Sequence, residues 1–250
     1  MAGGMAFGST FGVMLEPVIS WRGVFLAVSA CGFLTLILLR PYLALLGERS
    51  ATKTLTLDAV MTGYRQLLSV PRAQRTYFYV FMNAAFHSGV FTWLGLYFSR
   101  RYGLGEIGIG IALLGYGVPG FVLGPFIGRV ADRWGRRWLV PAGLGLAALS
   151  ALLLTPAWPL AVAVVAVTFL SLGYDMTQPP LEGIVTTLDP PRAGQAMGLN
   201  VFALFIGFGL GSLLFGSALQ LGFTKALLIF AGAQAVAWLA AVALFRSERS

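Results

Sequence analysis

Residues 196–219 follow one another without a single charged side chain, and several further stretches come close to that pattern. A helix needs roughly 20 predominantly apolar residues to cross the ~30 Å hydrocarbon core of a bilayer. Comparable runs occupy residues 23–40, 77–98, 107–127, 138–155, 159–181 and 223–245, and a shorter one occupies 1–15. None alternates polar with apolar positions as a barrel strand does, and most exceed the roughly 10 residues such a strand needs. The expected fold class is therefore all-α: a polytopic transmembrane helical bundle. Composition agrees, since 58% hydrophobic and 10% charged residues leave too little polarity to cover a surface in water.

The charges that remain are unevenly placed. If each run crosses, the connections alternate sides, and thirteen of the 17 Lys and Arg fall on one side. These are Arg40, Arg49, Lys53, Arg65, Arg72, Arg75, Arg129, Arg133, Arg136, Arg137, Arg192, Arg246 and Arg249; Arg22, Arg100, Arg101 and Lys225 fall on the other. The positive-inside rule assigns the first set to the cytoplasm, with the long linker and the C-terminus, in a multi-pass protein of the cell (inner) membrane. The net charge of +8 thus reports topology, and no nucleic-acid partner is expected.

Most connections are short, but residues 41–76 form a long charged link. This linker, 41–76, is the candidate boundary between two bundles, with two apolar runs over residues 1–40, the first incomplete, on one side and six over 77–250 on the other. Within the linker Leu57, Val60, Met61, Tyr64, Leu67 and Leu68 recur at helical spacing, which predicts an amphipathic helix on the membrane surface, ended by Pro71. Glycines stand four apart at Gly4, Gly8 and Gly12, at Gly120, Gly124 and Gly128, and at Gly207 and Gly211. Small residues at that spacing let helix backbones approach closely in lipid, so Gly120, Gly124, Gly207 and Gly211 are expected at helix seams.

Between two of the apolar runs stands GRVADRWGRR, residues 128–137. Asp132 can accept hydrogen bonds from arginines or from the amides at a helix N-terminus. Arg133, Arg136 and Arg137 can pair with it, with other carboxylates or with lipid phosphates. Such a cluster can act as a latch. With Gly128, Asp132, Arg133, Gly135, Arg136 and Arg137 in register after an apolar helix, and Val130 in place of the usual leucine, the stretch resembles the signature of the major facilitator superfamily. Trp21-Arg22 and the segment from Arg192 to Gly198 add to the resemblance, which covers essentially the whole chain.

The resemblance implies a transporter of two six-helix bundles joined by a long cytoplasmic loop. It places this chain at family helices five (incomplete) to twelve: the last two helices of one bundle and one complete six-helix bundle. It also implies that Asp132 latches against the start of family helix five, at or before Met1.

Ionisable groups inside a membrane are costly and are functional candidates by default. Asp175 lies well inside run 159–181, where it either carries a coupling proton or faces a cationic substrate, or else pairs with a cytoplasmic arginine or caps a helix break near Pro179-Pro180. His87 stands near the middle of run 77–98 with Asn83 one turn earlier. It serves either as a neutral hydrogen-bonding partner of neighbouring helices or as a proton relay. Gln178, Asn200 and Gln234 are expected to hydrogen-bond between helices, and Trp93, Tyr97 and Tyr102 to form an interfacial belt.

The single cysteine, Cys31, has no disulfide partner. No nucleotide-binding loop, nucleophile motif or metal-ligand cluster occurs, so no enzymatic activity, cofactor or metal is expected. The expected function is secondary transport of a small solute by alternating access, with a proton-coupled efflux carrier of the drug or metabolite type as the leading form. The partners are then a small-molecule substrate, the lipid bilayer and protons. The alternative is a non-transporting membrane component or truncated remnant that binds a partner protein or lipid.

Overall fold

The computed structural model describes residues 2–42, 56–116 and 118–248. The linker residues Arg49 and Lys53, the terminal Arg249 and the side chain of Asp132 lie outside what it describes. Among the described residues the fold is all-helical.

Helix α1 spans Ala2–Leu39 and is interrupted at Ser20, whose φ of 60° and ψ of 162° are not helical. This break stands between the two apolar runs at 1–15 and 23–40. Helix α1 touches the helices of residues 106–134, while its Val18, Phe25, Leu26 and Phe33 are exposed.

The amphipathic linker helix is α2, Leu57–Ser69, whose first turn is capped by the Thr56 hydroxyl accepting from the Ala59 amide at 3.3 Å. Its apolar stripe divides. Leu67 is buried beside Ala73, Tyr77 and Ala196, while Leu57, Met61 and Leu68 remain exposed. Pro71 opens the next helix as well as following the end of α2, because a proline at a first helical position forfeits no intrahelical bond.

The following helices are α3 (Pro71–Thr92), α4 (Leu94–Tyr102), α5 (Glu106–Leu113), α6 (Val118–Trp134), α7 (Arg136–Leu153), α8 (Leu160–Val185), α9 (Ala193–Ala218) and α10 (Phe223–Leu244). Helix α9 lies along α3, α7 lies along α8, and α10 lies along α7. Five described helical stretches are long and apolar enough to cross a membrane: 14–42, 106–130, 160–185, 190–221 and 223–244. The expected crossings at 77–98 and 138–155 are outside that set. α3 carries Arg72, Arg75, Asn83 and His87, and α7 begins with Arg136 and Arg137.

Glycines set the tightest seams. A Cβ on Gly207 would stand 2.6 Å from the Phe81 carbonyl oxygen, and one on Gly211 would stand 2.6 Å from Cα of Ala85, so α9 and α3 meet backbone to backbone. Gly143 and Gly173 make a reciprocal contact between α7 and α8, each Cβ position lying 2.7–2.8 Å from the other's carbonyl oxygen. A Cβ on Gly124 or Gly128 would meet nothing within 4 Å. The seam expected at Gly124 is therefore not formed among the described residues; the close contact on this helix is at Gly120.

Candidate functional site

The run at 107–127 is two helices. α5 ends at Leu113 and α6 starts at Val118, with turn bonds from Leu114 to Ile111 and from Tyr116 to Leu113 between them. The local sequence explains the break. Pro119 has no amide hydrogen to return to the preceding turn, and Gly115 and Gly117 weaken helix propensity around it. Gly115 also packs directly on the Thr168 hydroxyl of α8.

Tyr116, released from the helical path by this break, turns its hydroxyl toward His87 of α3. The oxygen lies 2.9 Å from Nδ1 and is also within reach of Nε2, so either partner can donate according to the imidazole tautomer. His87 is 5% exposed and is walled by aromatic rings. The Tyr174 ring of α8 is 3.8 Å from it between centroids, with Phe91 at 5.9 Å and Phe208 at 6.1 Å. Phe91 stacks in turn on Tyr116 at 4.0 Å.

Asp175 follows Tyr174 on α8 and is half-buried. It accepts a hydrogen bond from the Ser171 hydroxyl at 3.3 Å and another from the Gly120 backbone. A Cβ on Gly120 would stand 2.6 Å from the carboxyl group, so the first turn of α6 and the carboxylate are in direct contact. First-turn amides have no intrahelical acceptor, and the N-terminal end of the dipole favours an anion. Asp175 therefore caps the half-helix α6 from across the bundle. No arginine pairs with it among the described residues, and α8 runs unbroken through Pro179 and Pro180 to Val185. Neither structural role expected for Asp175 takes the form anticipated: the end it caps belongs to α6.

Asn83 stands apart from the His87 cluster in its bonding. Its Nδ2 donates to Oε1 of Gln178 at 3.4 Å, and Gln178 Nε2 donates to Glu182 at 3.2 Å. This makes a polar thread from α3 along α8. Asn200 and Gln234 do not bridge as expected: Oδ1 of Asn200 and both amide atoms of Gln234 are buried without a hydrogen-bond partner. Of the residues expected to form an aromatic belt, Tyr97 is buried and Trp93 and Tyr102 are partly exposed. Tyr97 is in the core and donates to the Leu154 carbonyl at 2.9 Å, Trp93 donates to Ser212 at 3.1 Å, and Tyr102 donates to Trp158 at 2.9 Å.

In the signature stretch, Gly128 and Asp132 belong to the last turns of α6 and Gly135 stands at the start of α7. Gly135 has φ 82° and ψ 151°, a conformation that an L side chain opposes, so this glycine makes the turn between the helices. Arg133 is exposed, Arg136 lies over Gly183 of α8, and the Arg137 guanidinium stands 5.5 Å from the Trp138 ring.

The same end of the bundle contains an ion cluster for which the sequence offered no spacing signal. Glu248, 3% exposed, accepts from Nε of Arg72 at 2.8 Å and from Nη2 at 2.7 Å, and it also pairs with Arg75. Its backbone carbonyl accepts from the Arg137 amide at 3.1 Å. The hydrogen bonds from Arg72 hold the Glu248 carboxyl below its ordinary value against the opposing effect of burial, and the Arg72 guanidinium is correspondingly raised.

No group of three or more His, Cys, Asp or Glu side chains that could hold a metal ion occurs among the described residues. The family profile of the Major Facilitator Superfamily matches residues 77–250. The chain belongs to the Major Facilitator Superfamily. Within that superfamily it is 28% identical over 204 residues to a Bacillus subtilis (strain 168) protein described as the uncharacterized MFS-type transporter YceJ. The matched region covers 80% of this chain and 51% of that relative, so the chain spans about half of the relative's length. The family profile and the apolar helices together make this a multi-pass membrane protein of a transporter superfamily.

Proposed function

We propose that the chain provides the C-terminal part of a secondary transporter that moves a small solute by alternating access, with proton-coupled efflux as its mode. Residues 77–250 are the six-helix bundle in this reading and residues 41–76 the link to the other bundle. The long link, the arginine-rich turns and the C-terminus then face the cytoplasm. The observation that carries the reading is Asp175 resting on the first turn of α6, one residue from Tyr174 and the His87 cluster. Interrupted helices expose backbone groups to ions and substrates near the bilayer midplane, and an intramembrane carboxylate held there is suited to exchanging a proton or a cationic group. Asp132 is the proposed latch at the cytoplasmic end.

The test is transport by a full-length form that includes the preceding helices, with and without collapse of the proton gradient. Asp175→Asn is expected to shift the pH profile of transport, and Asp132→Asn to reduce transport while leaving membrane insertion intact. An unaltered profile for the first would remove Asp175 from the coupling mechanism. Unchanged transport in the second would remove the latch. Reporter tags at Arg137 and Arg101 are expected in opposite compartments, and finding them together would overturn the topology.

A further inference from the structure

We propose that the groove between α7 and α10, at the arginine-rich end of the bundle, binds an anionic phospholipid, with its phosphate between Arg137 and Arg246. The groove has a volume of about 390 Å³ and is lined by Arg137, Trp138, Pro141, Val242 and Arg246. This inference is independent of the transport reading, because it concerns the outer face of the bundle.

Three observations converge on a lipid phosphate. First, the two guanidinium groups have no carboxylate partner among the described residues, although Arg72 and Arg75 at the same end share Glu248. Guanidinium forks match phosphate oxygens in a two-point geometry. Second, the Arg137 backbone N–H donates a hydrogen bond to the Glu248 carbonyl at 3.1 Å, so little backbone ordering remains to be done on binding. Third, the groove turns apolar one helical turn from each arginine, with Pro141 on α7 and Val242 on α10.

Trp138 is 61% exposed and Val242 41% exposed on that outer wall. A soluble anion would leave these side chains uncovered, whereas an acyl chain would cover them while the headgroup stays level with the helix ends. Tryptophan at such a level is the usual marker of the membrane interface. Basic pockets between helices at that depth select anionic headgroups over zwitterionic ones.

The test uses the 250-residue chain in a mild non-ionic detergent. Phosphatidylglycerol, phosphatidylcholine or inorganic phosphate is added in separate arms, and retained lipid and Tm are read in each. Phosphatidylglycerol is expected to be retained and to raise Tm, with phosphatidylcholine and inorganic phosphate having no effect at equal concentration. Arg137→Gln combined with Arg246→Gln is expected to weaken phosphatidylglycerol retention roughly 30-fold, from about 1 kcal/mol per arginine near an anionic surface. Arg137→Lys combined with Arg246→Lys keeps the charge but not the fork, and is expected to bind more weakly than the parent chain and more tightly than the double Gln variant. Lys225→Gln, exposed at the opposite end of α10, leaves retention unchanged. Equal retention of phosphatidylcholine, or full retention by the double Gln variant, overturns the proposal. An equal Tm rise with inorganic phosphate alone assigns the arginines to a soluble anion and overturns it as well.

Discussion

Arg72 and Glu248 are separated by 176 residues, yet two nitrogens of the guanidinium meet the two carboxylate oxygens at 2.8 and 2.7 Å. The pair joins the first turn of α3 to the chain just beyond α10. Arg75 adds a second pairing to the same carboxylate while its guanidinium lies 4.4 Å over the Phe245 ring, and Phe245 makes an edge contact with Tyr79 at 4.9 Å. One acidic side chain beyond α10 thus holds both arginines of the first turns of α3.

Glu248→Gln should lower the stability of the detergent-solubilised chain by about 1–2 kcal/mol. That range takes a charge-assisted hydrogen bond and discounts it for the solvent reaching Arg72. The pH dependence follows the direction of the Glu248 shift. A carboxyl depressed in the folded state contributes in full above its unfolded value, and that contribution is lost as pH falls through the folded value. Tm measured downward from neutral pH should therefore stay level until the ordinary glutamate range and then fall. The Gln variant should lack this acid-side component, and an identical acid profile in both proteins would contradict it.

Gly211→Ala and Gly124→Ala should differ in sign. The added methyl at Gly211 collides with the Ala85 backbone, which cannot move aside as a side-chain end can, while Gly124 has open space. Overpacking costs about 1–3 kcal/mol, whereas replacing a glycine in a helix interior by alanine gains roughly 1 kcal/mol. Thermal unfolding of the two variants beside the parent chain checks the pair, and destabilisation by Gly124→Ala would place a neighbour on that face.

Gly135→Ala tests the turn in the signature stretch. With φ at 82° and ψ at 151°, an alanine there should cost about 1–3 kcal/mol through the clash of its Cβ with the backbone. The expected result is a lower Tm, since this glycine is needed for conformation; an unchanged Tm would show that the turn relaxes.

Tyr116→Phe removes one hydroxyl and keeps the ring on Phe91. Loss of the bond to His87 should lower stability by about 1 kcal/mol and, in a full-length form, change solute transport more than Phe91→Leu does. If the hydroxyl is without function, Tyr116→Phe should be the milder of the two in a transport assay.

Much of the architecture was legible along the chain. Apolar runs mark helices because transfer of each residue into hydrocarbon is set by its own side chain and simply accumulates over a run. The signature from Gly128 to Arg137 pointed to the family that the profile match over 77–250 then showed. The polar residues His87, Asn83 and Asp175 stood out as candidates because each interrupts an otherwise apolar run. The interruption at Tyr116 was also written in the chain, as glycines on either side of it and Pro119 beyond. A hydropathy reading passes over it, because those residues are nearly neutral in that measure.

Partnership was a different matter. The sequence by itself determined a lipid-immersed helical bundle and the superfamily, since both rest on residue types counted along short stretches. Only the tertiary structure decided that Asp175 faces the first turn of α6, that His87 meets Tyr116 and Tyr174, and that Glu248 joins Arg72 and Arg75. A hydrogen bond or ion pair acts over about 3–4 Å, so its partners are set by how helices cross, and residues 176 positions apart along the chain can become nearest neighbours.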